Sequence, residues 1–261
     1  MSRQMSGLPE RMKRAFAWSW IRNRAPKAGV EPADLDRFQH YLDYLHRVAE
    51  PPYTHPLQRP KGYFPGLTAK PWHEPAEFEW TWRLEEGHEA IKQEFLDVHS
   101  LGSFQAQPQR LADRGQWNVY HFYYQGLRME ENCRRCPRTT HIIDSIPGTG
   151  DAGLVYFSVL APNSHVTPHC GPTNTRLRCH LGLVVPPGCQ IRVGLERRSW
   201  EEGKCLLLDD SFEHEAWNSS GESRAVLILD FWHPELTAAE IWALARAHEM
   251  STLARKLRRR R

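Results

Sequence analysis

The chain has 261 residues with a formal net charge of +3 at pH 7, and 40% of its residues are hydrophobic, including ten tryptophans. This length fits one large domain, or a domain with a small appendage, that can bury a sizeable core. The apolar runs are too short to cross a bilayer, and residues 1–24 lack the apolar stretch of a secretory signal, so we expect a soluble, cytoplasmic protein. The small net charge indicates no general polyanion-binding role, and nucleic acid is not the expected partner.

The first part of the chain predicts a helical extension over residues 1–59. Phe16, Trp18 and Trp20 lie in a basic amphipathic stretch, and residues 34–49 carry apolar side chains at helical spacing. The Trp-rich basic helix, residues 11–24, could also lie on a membrane surface. Residues 51–75 are rich in Pro and Gly, which predicts an extended arm lying on the main body.

A main domain is predicted over residues 60–236. It begins with a helix over 85–98, and short strands separated by turn residues follow, at 119–124, 154–160, 176–185, 190–193, 204–208 and 224–232. This pattern predicts a mainly β fold with flanking helices around a double-stranded β-helix core of the jelly-roll or cupin type.

Residues 237–261 are predicted to close the chain as a C-terminal helix with a basic tail. Thr237 and Glu240 have the spacing of a capping box at the start of this helix. The tail, residues 255–261, could touch RNA, DNA or acidic lipid, although a solvated, frayed end is the simpler interpretation.

The six cysteines include one CxxC motif, formed by Cys133 and Cys136. A structural zinc site normally needs a second pair at similar spacing, and the chain has none. Zinc binding, redox chemistry and a packing role therefore remain open, and packing is the interpretation we favour.

The most informative stretch runs from Pro168 to His180. It places His169 in a loop bounded by Pro168 and Gly171, and it continues into a strand. Alternation along that strand puts three side chains on one face, Arg176, Arg178 and His180, opposite the apolar Leu177, Cys179 and Leu181. Such a polar face is costly to bury without anions, and a metal beside two anionic ligands would account for it.

His169 and His214 are the strongest candidates for metal ligands. His214 follows the apolar strand 204–208, and Arg224 begins the next strand ten residues later. In a jelly roll this spacing can place the histidine and the arginine on adjacent antiparallel strands, the layout of an oxygenase that uses Fe(II) and 2-oxoglutarate. A helical zinc pair formed by His165 and His169 is not expected, because prolines and Gly171 bracket these residues.

Several segments recur in the order typical of one family. They are Ser158, His165-Val-Thr-Pro-His169-Cys-Gly171, the strand Arg176 to Gly182, Trp200-Glu-Glu-Gly203-Lys, Asp209-Asp-Ser-Phe-Glu-His214-Glu, Arg224 and Asp230-Phe-Trp-His-Pro234-Glu-Leu, with Lys70-Pro-Trp-His73 and Asn132-Cys-Arg-Arg-Cys136-Pro upstream. Together they resemble the aspartyl/asparaginyl β-hydroxylase family over roughly residues 60–236. Residues 1–50 are outside the resemblance.

The resemblance implies a metal site with two protein ligands, His169 and His214. Most iron oxygenases carry a carboxylate two residues after the first histidine, but Gly171 stands there. This departs from the wider superfamily and agrees with the family, where water is thought to fill the vacant position. Asp210 would anchor that water, unless it caps the turn before His214.

The resemblance also implies which residues hold the cosubstrate 2-oxoglutarate and the substrate. Arg224 and Ser158 would hold the distal carboxylate of 2-oxoglutarate, and Arg178 and His180 would lie near its keto-acid end. Arg176 would face an acidic substrate.

The implied activity is a dioxygenase that hydroxylates the β-carbon of Asp or Asn in a peptide or protein, using Fe(II), 2-oxoglutarate and O2, with ascorbate as the reductant in an assay. Two alternatives stay open: hydroxylation of a lipid-linked acyl chain, and a non-catalytic cupin-like binding module. Arg176 also has an alternative role, a salt bridge to Glu196 or Glu213. The oligomeric state is left open.

Overall fold

The computed structural model describes residues 9–107 and 111–259, with side chains described as far as residue 250. Eight α-helices lie within this part of the chain: α1 Glu10–Arg22, α2 Asp36–Leu45, α3 Thr81–Glu86, α4 His88–Ser100, α5 Glu130–Arg135, α6 Pro137–Asp144, α7 Thr149–Ala152 and α8 Ala238–Arg259. None of these helices is long and apolar enough to cross a membrane. The side chains of the basic tail, 255–261, lie outside the described residues.

The strands form two antiparallel sheets. Their bounds are β1 Trp72–His73, β2 Gln105–Ala106, β3 Ala112–Arg114, β4 Trp117–Tyr124, β5 Leu127–Arg128, β6 Leu154–Leu160, β7 Ser164–His169, β8 Arg176–Val184, β9 Cys189–Val193, β10 Glu196–Ser199, β11 Cys205–Leu208, β12 His214–Asn218 and β13 Arg224–Trp232. The large sheet has the order β1-β11-β8-β13-β6-β4-β2, with β5 paired to β4, and the small sheet has the order β10-β9-β12-β7-β3.

Over the last eight strands the chain passes back and forth between the two sheets, with the hairpin β9–β10 in the small sheet. The strands β6, β8, β11 and β13 lie in the large sheet, and β7, β9, β10 and β12 lie in the small one. This winding is a double-stranded β-helix, so the predicted mainly β fold with flanking helices and a jelly-roll core is confirmed.

Strand alternation divides the apolar residues of the large sheet between two cores. The outer face packs against α3 to α6 through side chains such as Leu177, Cys179 and Leu181, all fully buried. The inner face meets the small sheet through side chains such as Val226 and Ile228. The two faces predicted for 176–181 are therefore confirmed, because the apolar set lies in the outer core and leaves the polar set to the interior.

The N-terminal helices pack against the C-terminal helix. Phe38 of α2 and Leu244 of α8 belong to one apolar cluster that also covers Trp232 at the end of β13. The predicted capping box is confirmed: Thr237 N donates to Glu240 Oε2 at 2.9 Å, and Glu240 N donates to Thr237 Oγ1 at 3.2 Å. The helix predicted over 34–49 is shorter, since α2 ends at Leu45.

The segment predicted as an extended arm lies across the body beside the two histidine segments. Asn174 accepts a hydrogen bond from Phe64 N at 2.6 Å and donates one to Phe64 O at 2.9 Å. Isolated bridges join Gln58 to Phe212 and Gly62 to Thr173. The arm is thereby fixed next to the segments that follow His169 and precede His214.

The CxxC motif packs inside the outer core. Cys133 and Cys136 are free thiols, and both are buried among the residues between the helices and the large sheet. Burial raises the pKa of Cys136 to about 12, which keeps it a thiol at neutral pH. Among the described residues no third His, Cys, Asp or Glu joins them to hold a metal, so the contacts favour the packing role.

Candidate functional site

His169 and His214 face each other across two neighbouring strands of the small sheet. His169 is the last residue of β7, His214 is the first residue of β12, and the strand register pairs them directly. Their ring centroids are 4.1 Å apart. The loop predicted for His169 is therefore wrong. That prediction took Pro168 as a loop residue. A proline is tolerated in this strand because Pro168 lies near its end, beyond the residues that pair with β3.

The backbone holds both imidazole rings in the form that can bind a metal. His169 Nδ1 donates to Thr167 O at 2.7 Å, and His214 Nδ1 donates to Phe212 O at 2.9 Å. Burial lowers the pKa of both rings, and in His214 the proximity of His169 lowers it further. Each ring is thus neutral with the Nε2 lone pair free, the state in which histidine ligates metals.

The Asp210 carboxyl group fills the space that a side chain at position 171 would occupy. Gly171 N donates to Asp210 O at 2.6 Å, and a Cβ at Gly171 would come within 2.5 Å of Asp210 Cγ. Buried Asp210 Oδ1 has no hydrogen-bond partner among the described residues. The alternative role of Asp210, as a turn cap, is filled by Asp209, which accepts a hydrogen bond from Ser211 N at 2.9 Å.

The two histidines open into a cavity between the sheets. Together with the open solvent at its mouth, the empty space measures ≈ 460 Å³. Six of the residues singled out in the sequence line this cavity: Ser158, His169, Arg178, His180, His214 and Arg224. The fold therefore brings together residues that are up to 66 positions apart, from Ser158 to Arg224.

Arg224 is a buried guanidinium with unused hydrogen-bonding capacity. Its Nε and Nη1 have no hydrogen-bond partner in the described part of the chain, and burial lowers its pKa to about 10. In the same wall of the cavity, Ser158 Oγ accepts a hydrogen bond from Trp117 Nε1 at 3.0 Å, which leaves the hydroxyl proton free to donate. Unpaired buried donors of this kind are costly unless an anion binds them.

His180 presents a further unpaired nitrogen to the same cavity. Trp200 Nε1 donates to His180 Nδ1 at 3.0 Å, while His180 Nε2 is buried without a hydrogen-bond partner among the described residues. Burial, together with the charges of Arg178 and Arg224, lowers the pKa of His180 well below its ordinary value. The ring is therefore neutral.

Arg178 lies between two buried carboxylates. Its Nε and Nη2 donate to Asp230 at 2.8 and 3.3 Å, and its Nη1 forms an ion pair with Asp210 Oδ2 at 3.0 Å. Burial alone would lower the pKa of Arg178, but Asp210 and Asp230 outweigh it and raise the pKa. These contacts fix Arg178 and, through it, the orientation of Asp210.

Asp230 lies in a segment that carries the family resemblance, but no role was predicted for it. Asp230 is fully buried, lies opposite Arg178 in the pairing of β13 with β8, and also accepts a hydrogen bond from Leu154 N at 2.9 Å. The available signal was the even spacing within β13, because residues 224 and 230 share a face of the strand.

Arg176 is buried away from the cavity lining. Its Nε lies 3.2 Å from Asp230 Oδ2, with an N–H direction that makes no hydrogen bond, and its Nη1 donates to Ala152 O at 3.4 Å. The alternative partners, Glu196 and Glu213, pair with other arginines, Arg198 and Arg192. The carboxylate next to Arg176 is therefore neither of the two surface acids.

The chain is similar to proteins of one named family. A family model described as aspartyl/asparaginyl beta-hydroxylase matches residues 85–234. The human protein named aspartyl/asparaginyl beta-hydroxylase is 42% identical over 180 residues, which are 66% of this chain and 24% of that protein. The mouse aspartate beta-hydroxylase domain-containing protein 2 is 41% identical over 171 residues, 62% of this chain and 50% of that protein. The chain thus spans about a quarter to a half of these relatives.

Solved structures that resemble the chain include two prolyl hydroxylases. The enzyme of Trichoplax adhaerens, in complex with a peptide fragment of hypoxia inducible factor, matches with a TM-score of 0.42 at 11% identity, covering 57% of this chain and 79% of that one. A prolyl-4-hydroxylase of Pseudomonas putida matches with a TM-score of 0.38 at 13% identity, covering 56% of this chain and 87% of that one.

Proposed function

The chain belongs to the aspartyl/asparaginyl β-hydroxylase family, and from this premise we propose that it is a dioxygenase dependent on Fe(II) and 2-oxoglutarate. Its proposed substrate is a peptide or protein, hydroxylated at the β-carbon of Asp or Asn. The observation that supports this proposal is the cavity in which two neutral, backbone-oriented imidazoles face unpaired buried donors from Arg224 and His180.

The donor set fits Fe(II) held by two protein ligands. His169 and His214 each offer Nε2, and imidazole is a common ligand of iron. Gly171 offers no side chain as a third ligand. The unpaired Oδ1 of Asp210 is suited to orient a water beside the two histidines.

The unpaired donors fit a dicarboxylate cosubstrate. Arg224 and Ser158 would bind the distal carboxylate of 2-oxoglutarate, since both carry free donors in one wall of the cavity. His180 and Arg178 would bind nearer the keto-acid end. Arg178 is already neutralised by Asp210 and Asp230, so its contribution is a directed N–H rather than a net charge.

With Fe(II), 2-oxoglutarate and O2 bound, the metal would supply the oxidation that hydroxylates an unactivated C–H bond, with succinate and CO2 as co-products. The residues of this chain orient the reactants and exclude water. Burial of Arg224 and His180 strengthens their contacts with an anion, because electrostatic interactions are stronger in a site shielded from solvent.

The proposal is tested by incubating the protein with Fe(II), ascorbate, O2, 2-oxoglutarate and a panel of Asp- and Asn-containing peptides. We expect succinate, and a peptide whose mass rises by one oxygen atom. Succinate with no peptide product would point to another substrate, such as a lipid-linked acyl chain. Absence of 2-oxoglutarate binding and of succinate would contradict the enzymatic proposal and favour a binding module.

Substituting Gly171 by aspartate is not expected to supply a third iron ligand. A side chain at this position meets the Asp210 carboxyl carbon at 2.5 Å, so Gly171→Asp must displace Asp210 or the segment after β7. We expect lower metal affinity and succinate formation for Gly171→Asp and also for Gly171→Ala. Metal titrations check this, and an Asp variant with tighter metal binding would contradict the steric argument.

Arg176 stays a predicted substrate residue. Its guanidinium already lies beside the Asp230 carboxylate, so a substrate anion would bind Arg176 together with Asp230. On this prediction, Arg176→Ala impairs peptide hydroxylation yet preserves slow, substrate-independent conversion of 2-oxoglutarate to succinate. Both products are measured in one assay. If both fall together, Arg176 belongs to the ion-pair network of Asp230 instead.

A further inference from the structure

Trp200 contacts two of the groups that would bind the cosubstrate. It follows β10, it is 4% exposed, and it lines the cavity. Its Nε1 donates to His180 Nδ1 at 3.0 Å, and the two rings lie edge to edge, nearly parallel, with an interplanar angle of 13° and centroids 6.0 Å apart. The Arg224 guanidinium carbon lies 4.5 Å from the centre of the Trp200 ring system.

The hydrogen bond from Trp200 determines where His180 carries its proton. The indole nitrogen can only donate, so His180 Nδ1 must be the acceptor and cannot carry a hydrogen. The neutral ring then carries its hydrogen on Nε2, the buried atom with no hydrogen-bond partner among the described residues. The same contact disfavours the imidazolium form, in which Nδ1–H would oppose the indole N–H.

The second contact holds Arg224 in place without using its hydrogen bonds. A guanidinium over an indole face is attracted by the ring quadrupole, and the attraction grows when the pair is removed from water. Nε and Nη1 of Arg224 have no hydrogen-bond partner among the described residues, so this contact leaves both donors available. Trp200 thus contacts both His180 of β8 and Arg224 of β13, whose unpaired donors belong to the same cavity.

The backbone around Trp200 is anchored to the strand that carries His180. Gly203 N donates to Gly182 O at 3.0 Å, and Gly182 N donates to Lys204 O at 3.2 Å. A Cβ at Gly182 would come within 2.2 Å of Glu201 O, so a glycine is needed for this approach. On the outer side Glu202 accepts a hydrogen bond from Lys92 Nζ of α4 at 2.6 Å.

We propose that Trp200 is a positioning residue for the cosubstrate site: its indole N–H fixes His180 in the tautomer that directs Nε2–H into the cavity, and its ring holds the Arg224 guanidinium. The role of these contacts in cosubstrate binding rests on the proposed function, because it takes 2-oxoglutarate as the anion that these donors bind. The tautomer of His180 does not depend on the proposed function.

The tautomer is tested by nitrogen-15 NMR of the histidine side chains in the metal-free protein. In wild type we expect His180 with an unprotonated Nδ1 and a protonated Nε2. Trp200→Phe retains an aromatic ring but removes the donor, so both nitrogens should shift toward values averaged over the two tautomers. Trp217→Phe is the matched control, since Trp217 packs on His165 on the outer face of the small sheet and should leave the His180 signals unchanged.

Cosubstrate binding is tested by titrating 2-oxoglutarate into the Zn(II)-loaded protein, which gives a dissociation constant without turnover. Loss of one directed hydrogen bond predicts an affinity for Trp200→Phe that is about 5- to 10-fold weaker. Trp200→Leu also removes the stacking surface of Arg224, so its affinity should be weaker by about 30-fold or more. Trp217→Phe should bind as wild type does.

The possible outcomes separate this inference from the proposed function. Wild-type protein that binds no 2-oxoglutarate would count against the proposed function, while the NMR comparison would still decide the contact between Trp200 and His180. Unchanged His180 signals in Trp200→Phe, or wild-type affinity in both Trp200 variants, would overturn the positioning role. Should Trp200→Leu fail to fold, the binding and NMR data for Trp200→Phe carry the decision.

Discussion

Replacing either His169 or His214 with alanine is expected to abolish metal binding and reduce succinate formation by more than about 100-fold. Each ring contributes one Nε2, and among the described residues no third His, Cys, Asp or Glu converges on them. A site with two protein ligands therefore keeps only one after either substitution. Titration with Co(II), followed by its visible absorption, measures the binding directly, and succinate release measures the activity.

His165→Ala is the matched control for these variants. His165 lies on the same strand as His169, but its ring pairs with Asp113 at 3.0 Å and Glu215 at 3.2 Å outside the cavity. We expect this variant to bind Co(II) and form succinate as the wild type does. Substantial activity in His169→Ala or His214→Ala would show that the metal, and with it the proposed chemistry, lies elsewhere.

Replacing Arg224 with alanine is expected to raise the 2-oxoglutarate concentration needed for half-maximal succinate formation by ~10-fold or more. A charged hydrogen bond in a buried site contributes about 1.5–3 kcal/mol, and Arg224 has two unpaired nitrogens available for such bonds. Arg192→Ala is the control, because Arg192 pairs with Glu213 and Glu215 on the outer face of the small sheet.

The stability of the Arg224 variant distinguishes binding from a structural role. Without an anion Arg224 is a buried charge with no carboxylate partner among the described residues, so its removal should cost little folding free energy. We expect the ligand-free melting temperature to change little, while the rise caused by 2-oxoglutarate is lost. A large drop in the ligand-free melting temperature, with an unchanged 2-oxoglutarate titration, would mark Arg224 as a structural residue.

Patterns along a single strand were predictable where the two faces differ strongly. The alternation over 176–181 was sufficient to separate the polar face from the apolar one, and the bounds of β6 and β13 match the predicted 154–160 and 224–232. The capping box at Thr237 was equally local. In each case the signal lies within a few residues, where the period of the backbone imposes it.

Elements without such a local signal were missed. The strand β7 has a proline one residue from its end and carries polar side chains, and it is a strand because β12 and β3 pair with it on either side. The helices α5 to α7 were also not predicted. These helices are short, and short helices depend on tertiary packing for their stability. Buried residues such as Ile143 provide it by packing against the large sheet.

The sequence by itself determined which side chains are available for the chemistry: two histidines, a buried strand with two arginines, and an arginine at the start of the last strand. The tertiary structure decided how they are paired. Arg178 meets Asp230, 52 positions away, and His180 meets Trp200, 20 positions away, because the register of separate strands and loops brings them together. Such a register depends on the packing of whole sheets, and no local spacing encodes it.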